Sequence, residues 1–272
     1  MDLPLLTPSR TVELLRQLRL HPRKNLGQNF LVDSNLVRKS LSMAGVSPGD
    51  HIVEIGPGLG ALTRGLLNAG AHVHAIEKDP VLSAHLREDL LPQSGGRLEL
   101  VDGDAMDHPH AKQEPGNPFK IVANLPYAIT TPWMEKALKE PLPERMVLLV
   151  QREAAQRFLA EPGSKSLGPI AIFLQSAYSP GGQHKVSRNC FLPTPEVDSS
   201  LVCLERRETP FLFGQEERQT IRHLFTRRRK QLKSLCEGPE LENWLGRLEE
   251  AGFPGTSRPE QVPIELWRKL GD

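Results

Sequence analysis

The chain has 272 residues, of which 38% are hydrophobic and 25% charged, with a formal net charge of +1. That size suggests one large domain or one plus a small appendage, and the composition excludes a wholly disordered chain. No apolar run approaches the ~20 residues of a membrane-spanning helix, Met1-Asp-Leu-Pro begins no secretory signal, and Cys190, Cys203 and Cys236 lack disulfide-framework or metal-ligand spacing.

In chain order, Thr7 followed by Pro8 predicts an N-cap with proline at the first helical position, opening an amphipathic helix to about Leu20. A polar loop, residues 23–30, precedes a helix from Asp33 to Gly45, where glycine suits a left-handed C-cap. Strands are then predicted at His51–Ile55, His72–Ile76, Arg97–Val101, Phe119–Ala123 and Met146–Val150. Helices fit Ala61–Ala69, the stretch after Pro80 and the intervening segments. Alternation of this kind gives βαβ units, hence a parallel α/β sheet covered by helices on both faces. Two later apolar stretches, near Gln183–Val186 and Ser199–Leu204, fit an added antiparallel hairpin. After Arg207 the chain turns polar, basic and helix-periodic, with Glu208-Thr-Pro-Phe211 as a linker. The expected organisation is a larger domain over residues 1–207 and a small helical one over 208–272, too short for an independent core of any size.

The near-neutral total conceals two basic stretches. Arg218 to Lys233 holds seven Lys/Arg and no acid, including Arg227, Arg228, Arg229 and Lys230, and Arg10 to Lys24 holds five against one Glu. Localised positive charge is what phosphate contacts need.

Glu54-Ile-Gly-Pro-Gly-Leu-Gly60 lies between a predicted strand and a predicted helix. Glycines such as Gly56 and Gly58 permit unusual backbone angles and let a ligand approach the main chain. Glu77 ends the next strand about twenty residues on, where a carboxylate can accept from ribose hydroxyls. A ribose-bearing cofactor is expected. Gly56, Gly58 and Ala61 also satisfy the dinucleotide spacing. Pro57 argues against NAD, because it removes a backbone N–H where a pyrophosphate wants donors; S-adenosylmethionine has no phosphate to lose one. Asp104, after the third strand, stands where an acid can accept from an adenine amino group.

Asn124-Leu-Pro-Tyr127 follows the fourth strand at the same sheet edge. The exocyclic amine of adenine is a poor nucleophile because its lone pair is delocalised into the ring. Acceptors such as the Asn124 amide oxygen and the Leu125 carbonyl would favour a pyramidal nitrogen aimed at a methyl donor. Pro126 would fix the loop, and Tyr127 offers a face for the base. Alignment and polarisation then suffice without a strong general base.

Taken together, Asn25-Leu-Gly-Gln-Asn-Phe-Leu31, the glycine turn, Glu77, Gly103-Asp-Ala-Met106, Asn124-Leu-Pro-Tyr127 and Phe191-Leu-Pro-Thr-Pro-Glu-Val-Asp-Ser199 closely resemble the ribosomal RNA adenine N6,N6-dimethyltransferases of the KsgA/RsmA type. The match covers residues 20–235, and Arg227 to Leu235 is similar to that family's C-terminal basic motif. The resemblance implies a Rossmann-like class I methyltransferase fold. It also implies transfer of four methyl groups from S-adenosylmethionine to two adjacent adenosines in a hairpin loop near the 3′ end of small-subunit rRNA, on an assembling small-subunit precursor.

By position it implies a cofactor site of Asn29, Leu31, Gly56, Gly58, Glu77, Asp104 and Asn124. Asn124, Leu125, Pro126 and Tyr127 would handle the base, Phe191 would be a second stacking surface, and Arg227–Lys230 would bind RNA. Where the family has Pro-Pro-Pro-like character, this chain has Pro193-Thr-Pro195, which bears on loop rigidity. Other readings are adenine methylation in large-subunit rRNA or DNA, and a mainly non-catalytic ribosome-assembly factor. No metal, no membrane association, a cytoplasmic location and a monomer complete the expectation.

Overall fold

The structure is a computed structural model, and it describes residues 3–22, 28–111, 113–114 and 116–271. Its residues cluster into two units, Met1–Ala155 with Pro180–Arg206, and Gln156–Ser179 with Arg207–Asp272.

The first unit opens with α1 (Pro8–Gln17), capped by Thr7, whose hydroxyl accepts from the Arg10 N–H at 3.3 Å. This helix stops short of the expected Leu20, with Arg19 at a φ of +50°. Strand β1 (Phe30–Leu31) leads into α2 (Ser34–Ala44), where Asp33 caps the first turn and Gly45 closes the last at a φ of +56°. Both helix ends follow from local chemistry: a carboxylate for orphan N–H groups, and a residue without Cβ for the left-handed cap.

The α/β alternation then runs β2 (His51–Ile55), α3 (Ala61–Asn68), β3 (His72–Glu77), α4 (Pro80–Asp89), β4 (Leu98–Asp102), β5 (Lys120–Asn124), α5 (Thr130–Ala137) and β6 (Arg145–Gln151). After α6 (Arg152–Phe158) and α7 (Pro169–Ala177) come β7 (Tyr178–Val186), β8 (Phe191–Leu192) and β9 (Ser199–Arg206). Seven strands form one sheet in the order β4-β3-β2-β5-β6-β9-β7. Strands β2 to β6 run parallel, and β9 runs antiparallel to β6 from Arg145↔Glu205 to Gln151↔Ser199. The unbroken apolar run Met146–Val150 fits β6, buried among neighbours, whereas β4 at the sheet edge alternates between buried and exposed. Strand order reverses between β2 and β5, which opens a crevice at their carboxyl ends. That is where open α/β sheets bind ligands.

A two-stranded ladder outside the main sheet pairs Phe30 with Leu192 and Leu31 with Phe191. Two-residue strands leave no periodicity in a sequence, so this ladder was not expected.

The second unit contains α7, α8 (Gln215–Thr226), α9 (Pro239–Glu250) and α10 (Ile264–Trp267). Its core includes Trp244 and Trp267, whose ring centroids lie 4.8 Å apart, with the Trp244 indole N–H donating to the Leu266 carbonyl at 3.0 Å. Residues 156–179 cluster here rather than with a 1–207 domain. The reason is the almost wholly buried helix α7, which gives the second unit apolar surface that residues 208–272 lack. Of the expected linker, Glu208, Thr209 and Pro210 are exposed and only Phe211 packs. The Phe211 N–H donates to Ser176, and the rings of Phe211 and Phe173 both contact Phe213.

Candidate active site

At the carboxyl ends of β2, β3 and β5 the first unit holds a cleft of about 1110 Å³, counting its open mouth. The glycine turn forms its floor. Gly56 (φ +64°) has nothing within 4 Å of where a Cβ would stand, so the main chain there is open to a ligand. Gly58 (φ +62°) is held for another reason: a Cβ would lie 3.3 Å from the ring of Phe30, which packs over the turn. Phe30 therefore serves the core and the cleft wall together.

Glu77 organises the next wall. One carboxylate oxygen accepts the Gly58 N–H at 3.0 Å and the other the Asp79 N–H at 2.8 Å. Burial pushes its carboxyl above the usual range, and those backbone donors oppose the push. Asp79 then caps α4 and accepts from the Gln28 amide at 3.1 Å, tying the segment before β1 to the end of β3. Asp104 lines the cleft with both oxygens engaged, one by the Lys78 ammonium at 2.7 Å and the other by the Met106 N–H at 2.8 Å. The Lys78 contact, above all, holds its carboxyl below the usual range.

The opposite wall is the turn after β5. Asn124 donates its amide N–H to the Asn29 carbonyl at 2.9 Å, so the amide oxygen is the acceptor it presents. The Leu125 N–H continues the ladder to Leu149 at 3.1 Å, and the Pro126 carbonyl accepts from Ile129 and from the Thr130 hydroxyl. Tyr127 is half-buried, its hydroxyl 2.6 Å from that of Ser199 on β9. Burial raises this phenol's pKa, partly offset by the Ser199 bond.

The structure thus brings Asn29, Leu31, Gly56, Gly58, Glu77, Asp104, Asn124 and Pro126 around one cleft, with Leu125 and Tyr127 in the same turn. Asn25 to Gly27 of the first motif, with Arg23 and Lys24, lie outside the described residues.

The family model described as ribosomal RNA adenine dimethylase matches residues 19–242. The chain belongs to the ribosomal RNA adenine dimethylase family. Among the relatives of this dimethylase, ribosomal RNA small subunit methyltransferase A of Opitutus terrae is 53% identical over 97% of this chain and 98% of its own length. The protein of the same name from Moorella thermoacetica is 39% identical over 97% and 96%. A dimethyladenosine transferase from Plasmodium falciparum shares the fold with a TM-score of 0.75, at 26% identity over 89% of this chain and 95% of that one. The 23S rRNA methyltransferase ErmE gives 0.68, at 27% identity over 89% and 98%.

Phe191 departs from expectation. In this dimethylase its ring is 2% exposed, sits in the core with Phe30 and Leu31, and does not line the cleft. Its place in the ladder with β1 directs it inward, so it offers no open face for a base. Phe191→Ala is accordingly expected to cost ~3–5 kcal/mol of stability, the usual toll of emptying a core phenyl site. Thermal denaturation checks this; a loss of transfer with an unchanged melting temperature would restore the stacking role.

The basic run also divides. It lies beyond the end of α8 in a turn, where Arg227, Arg229 and Lys230 are exposed. Arg228 instead donates to the Lys165 carbonyl at 3.0 Å and lies 3.8 Å from the Glu260 carboxylate. Upstream, Arg218 and Arg222 lie over the ring of Phe173 at 5.1 and 5.4 Å. Those three cations make contacts within the second unit, a use that a charge count cannot distinguish from RNA contact.

Gln28 and Ser199 lie within the quoted motifs without an expected role of their own, and Lys78 and Asp79 lie outside them. Asp79-Pro80 carried a signal, an N-cap acid before a first-turn proline at the carboxyl end of a strand. The roles of the others depend on distant partners, which no local pattern shows.

Proposed function

We propose that this dimethylase transfers methyl groups from S-adenosylmethionine to N6 of two adjacent adenosines in the hairpin loop near the 3′ end of small-subunit rRNA, on an assembling subunit. The observation that carries this reading is the Asn124 amide, whose N–H is taken by the Asn29 carbonyl so that its oxygen is left to accept from a donor in the cleft. An adenine amino group is such a donor. The small-subunit assignment follows the names of the relatives from Opitutus terrae and Moorella thermoacetica.

The cleft suits this cofactor. Among the described residues its lining includes the acids Glu54, Glu77, Asp79 and Asp104 and one basic residue, Lys78, which is paired to Asp104. Such a surface favours a cation and repels the pyrophosphate of a dinucleotide. Asn29, Leu31, Gly56, Gly58, Glu77, Asp104 and Asn124 are the residues proposed to hold it. When bound, S-adenosylmethionine supplies an electrophilic methyl group on a cationic sulfur.

The chain's own part is alignment. Asn124 and the Leu125 carbonyl accept from the adenine amine, drawing its lone pair out of conjugation. Tyr127, anchored through Ser199, presents its ring to a base taken out of the stack. No residue need hold the departing proton, because the methylated amine is cationic and releases it to solvent. Arg227, Arg229 and Lys230 supply phosphate contacts from the second unit, and the enzyme acts as a monomer in the cytoplasm.

Labelled methyl transfer to small subunits lacking the modification, followed by mass mapping, tests the reading. Dimethyladenine at adjacent positions near the 3′ end is expected. Transfer only to large-subunit RNA or DNA would overturn the substrate, and no transfer would favour an assembly factor. Replacing Arg227, Arg229 and Lys230 together with Ala should weaken subunit binding and flatten its salt dependence, by roughly one unit of log–log slope for each phosphate left without its cation. Arg228→Ala should instead lower the melting temperature. Equal salt slopes in wild type and triple variant would remove the run from the interface.

A further inference from the structure

Glu54 takes no part in the chemistry above, yet it lines the cleft while being only 1% exposed. The Thr63 hydroxyl donates to it at 2.7 Å, and the Thr63 backbone N–H donates to it as well. The charged groups on the elements around it offer little further compensation. From the end of β3 come Glu77 and Asp79, both acids, and Lys78, committed to Asp104. On α3, Arg64 is bonded to Asp89. At the opposite, amino ends of β2 and β5, Lys120 is paired with Asp50 at 2.7 Å, and β1 carries no charge. Burial, with the nearby Glu77 adding to it and Thr63 opposing, pushes the Glu54 carboxyl up to about 8. It is therefore mostly protonated at neutral pH. Asp104 and Glu77 receive donors from two different residues each, whereas both donors to Glu54 belong to Thr63.

We propose that Glu54 senses the charge of the ligand: it is protonated in the ligand-free chain and gives its proton to solvent when a cationic methyl donor enters the cleft. A buried carboxylate needs a counter-charge, which the cation supplies and a neutral ligand does not. Only the carboxyl O–H bond breaks, the proton passes to buffer, and the carboxylate remains. The inference rests on the reading of this cleft as the S-adenosylmethionine site. It makes donor affinity rise with pH by up to tenfold per unit while the free chain is protonated, then level off above the Glu54 pKa.

Titration calorimetry at pH 7, in buffers of different ionisation enthalpy, tests this without turnover. S-adenosylmethionine should release close to one proton per site, and uncharged 5′-methylthioadenosine none. Glu54→Gln keeps the shape and an acceptor for Thr63; it should bind the donor without proton release and without the pH trend. Thr63→Val leaves Glu54 and the backbone donor in place but removes the hydroxyl donor, and should move the inflection in affinity to higher pH. Donor binding with no proton exchange in the wild type, or full release from Glu54→Gln, would overturn the inference alone. Failure of S-adenosylmethionine to bind at all would overturn the cofactor reading beneath it.

Discussion

Replacing Asn124 with Ala is expected to slow methyl transfer by roughly 10²–10³-fold, the usual effect of deleting one preorganised polar group at a reacting centre, while leaving the fold and subunit binding in place. Asn124 is only half-buried at the end of β5, where its backbone stands opposite Leu149, so truncation opens no core cavity. What disappears is the acceptor for the adenine amine, which matters most as that nitrogen becomes pyramidal. The defect should therefore fall on kcat rather than on KM for the subunit. Asn124→Asp separates orientation from mere acceptance. It keeps an acceptor but has no N–H for the Asn29 carbonyl, and it sets a carboxylate oxygen beside that carbonyl. It should be nearly as defective as Ala. Single-turnover transfer at saturating cofactor measures both, and wild-type rates from Asn124→Asp would show that the Asn29 carbonyl does not orient the amide.

The parts of this site that were legible in the sequence are those set by local chemistry at strand ends. The turn after β2 carries its glycines, β3 ends in Glu77, and β5 runs straight into Asn124-Leu-Pro-Tyr127; the sheet then gathers three neighbouring carboxyl ends, whatever their separation in the chain. Phe191 shows where such reading stops. A loop aromatic beside prolines is compatible with stacking on a base, and only the pairing of β8 with β1 decides that it faces the core. Arg228 is a similar case, because its partners Lys165 and Glu260 are 63 and 32 residues away. The two compact units also divide the chain otherwise than at residue 207, for a related reason. Helix α7 precedes β7 and β9 in the chain, yet it clusters with the helices after Arg207, and non-contiguous units leave no compositional break.

Glu77 should prove intolerant even of its closest isostere. A carboxylate accepts at both oxygens, and here one takes the Gly58 N–H and the other the Asp79 N–H. Glu77→Gln can satisfy either, but its NH2 then meets the remaining N–H donor head on. One backbone donor is left without a partner in a site that is 7% exposed, which costs about 1–3 kcal/mol. Glu77→Ala abandons both. The damage should also pass to the cofactor, because the same carboxylate fixes the glycine turn under the cleft and starts the segment leading to Asp79, where Gln28 is fastened. Affinity for S-adenosylmethionine is expected to fall by more than the roughly tenfold that removal of one neutral hydrogen bond of about 1.4 kcal/mol would give. Thermal denaturation without ligand, paired with equilibrium binding of S-adenosylmethionine, distinguishes the two effects. A Gln variant as stable as the wild type would mean that the turn finds another acceptor, and unchanged affinity alongside a lowered melting temperature would reduce Glu77 to a structural strut.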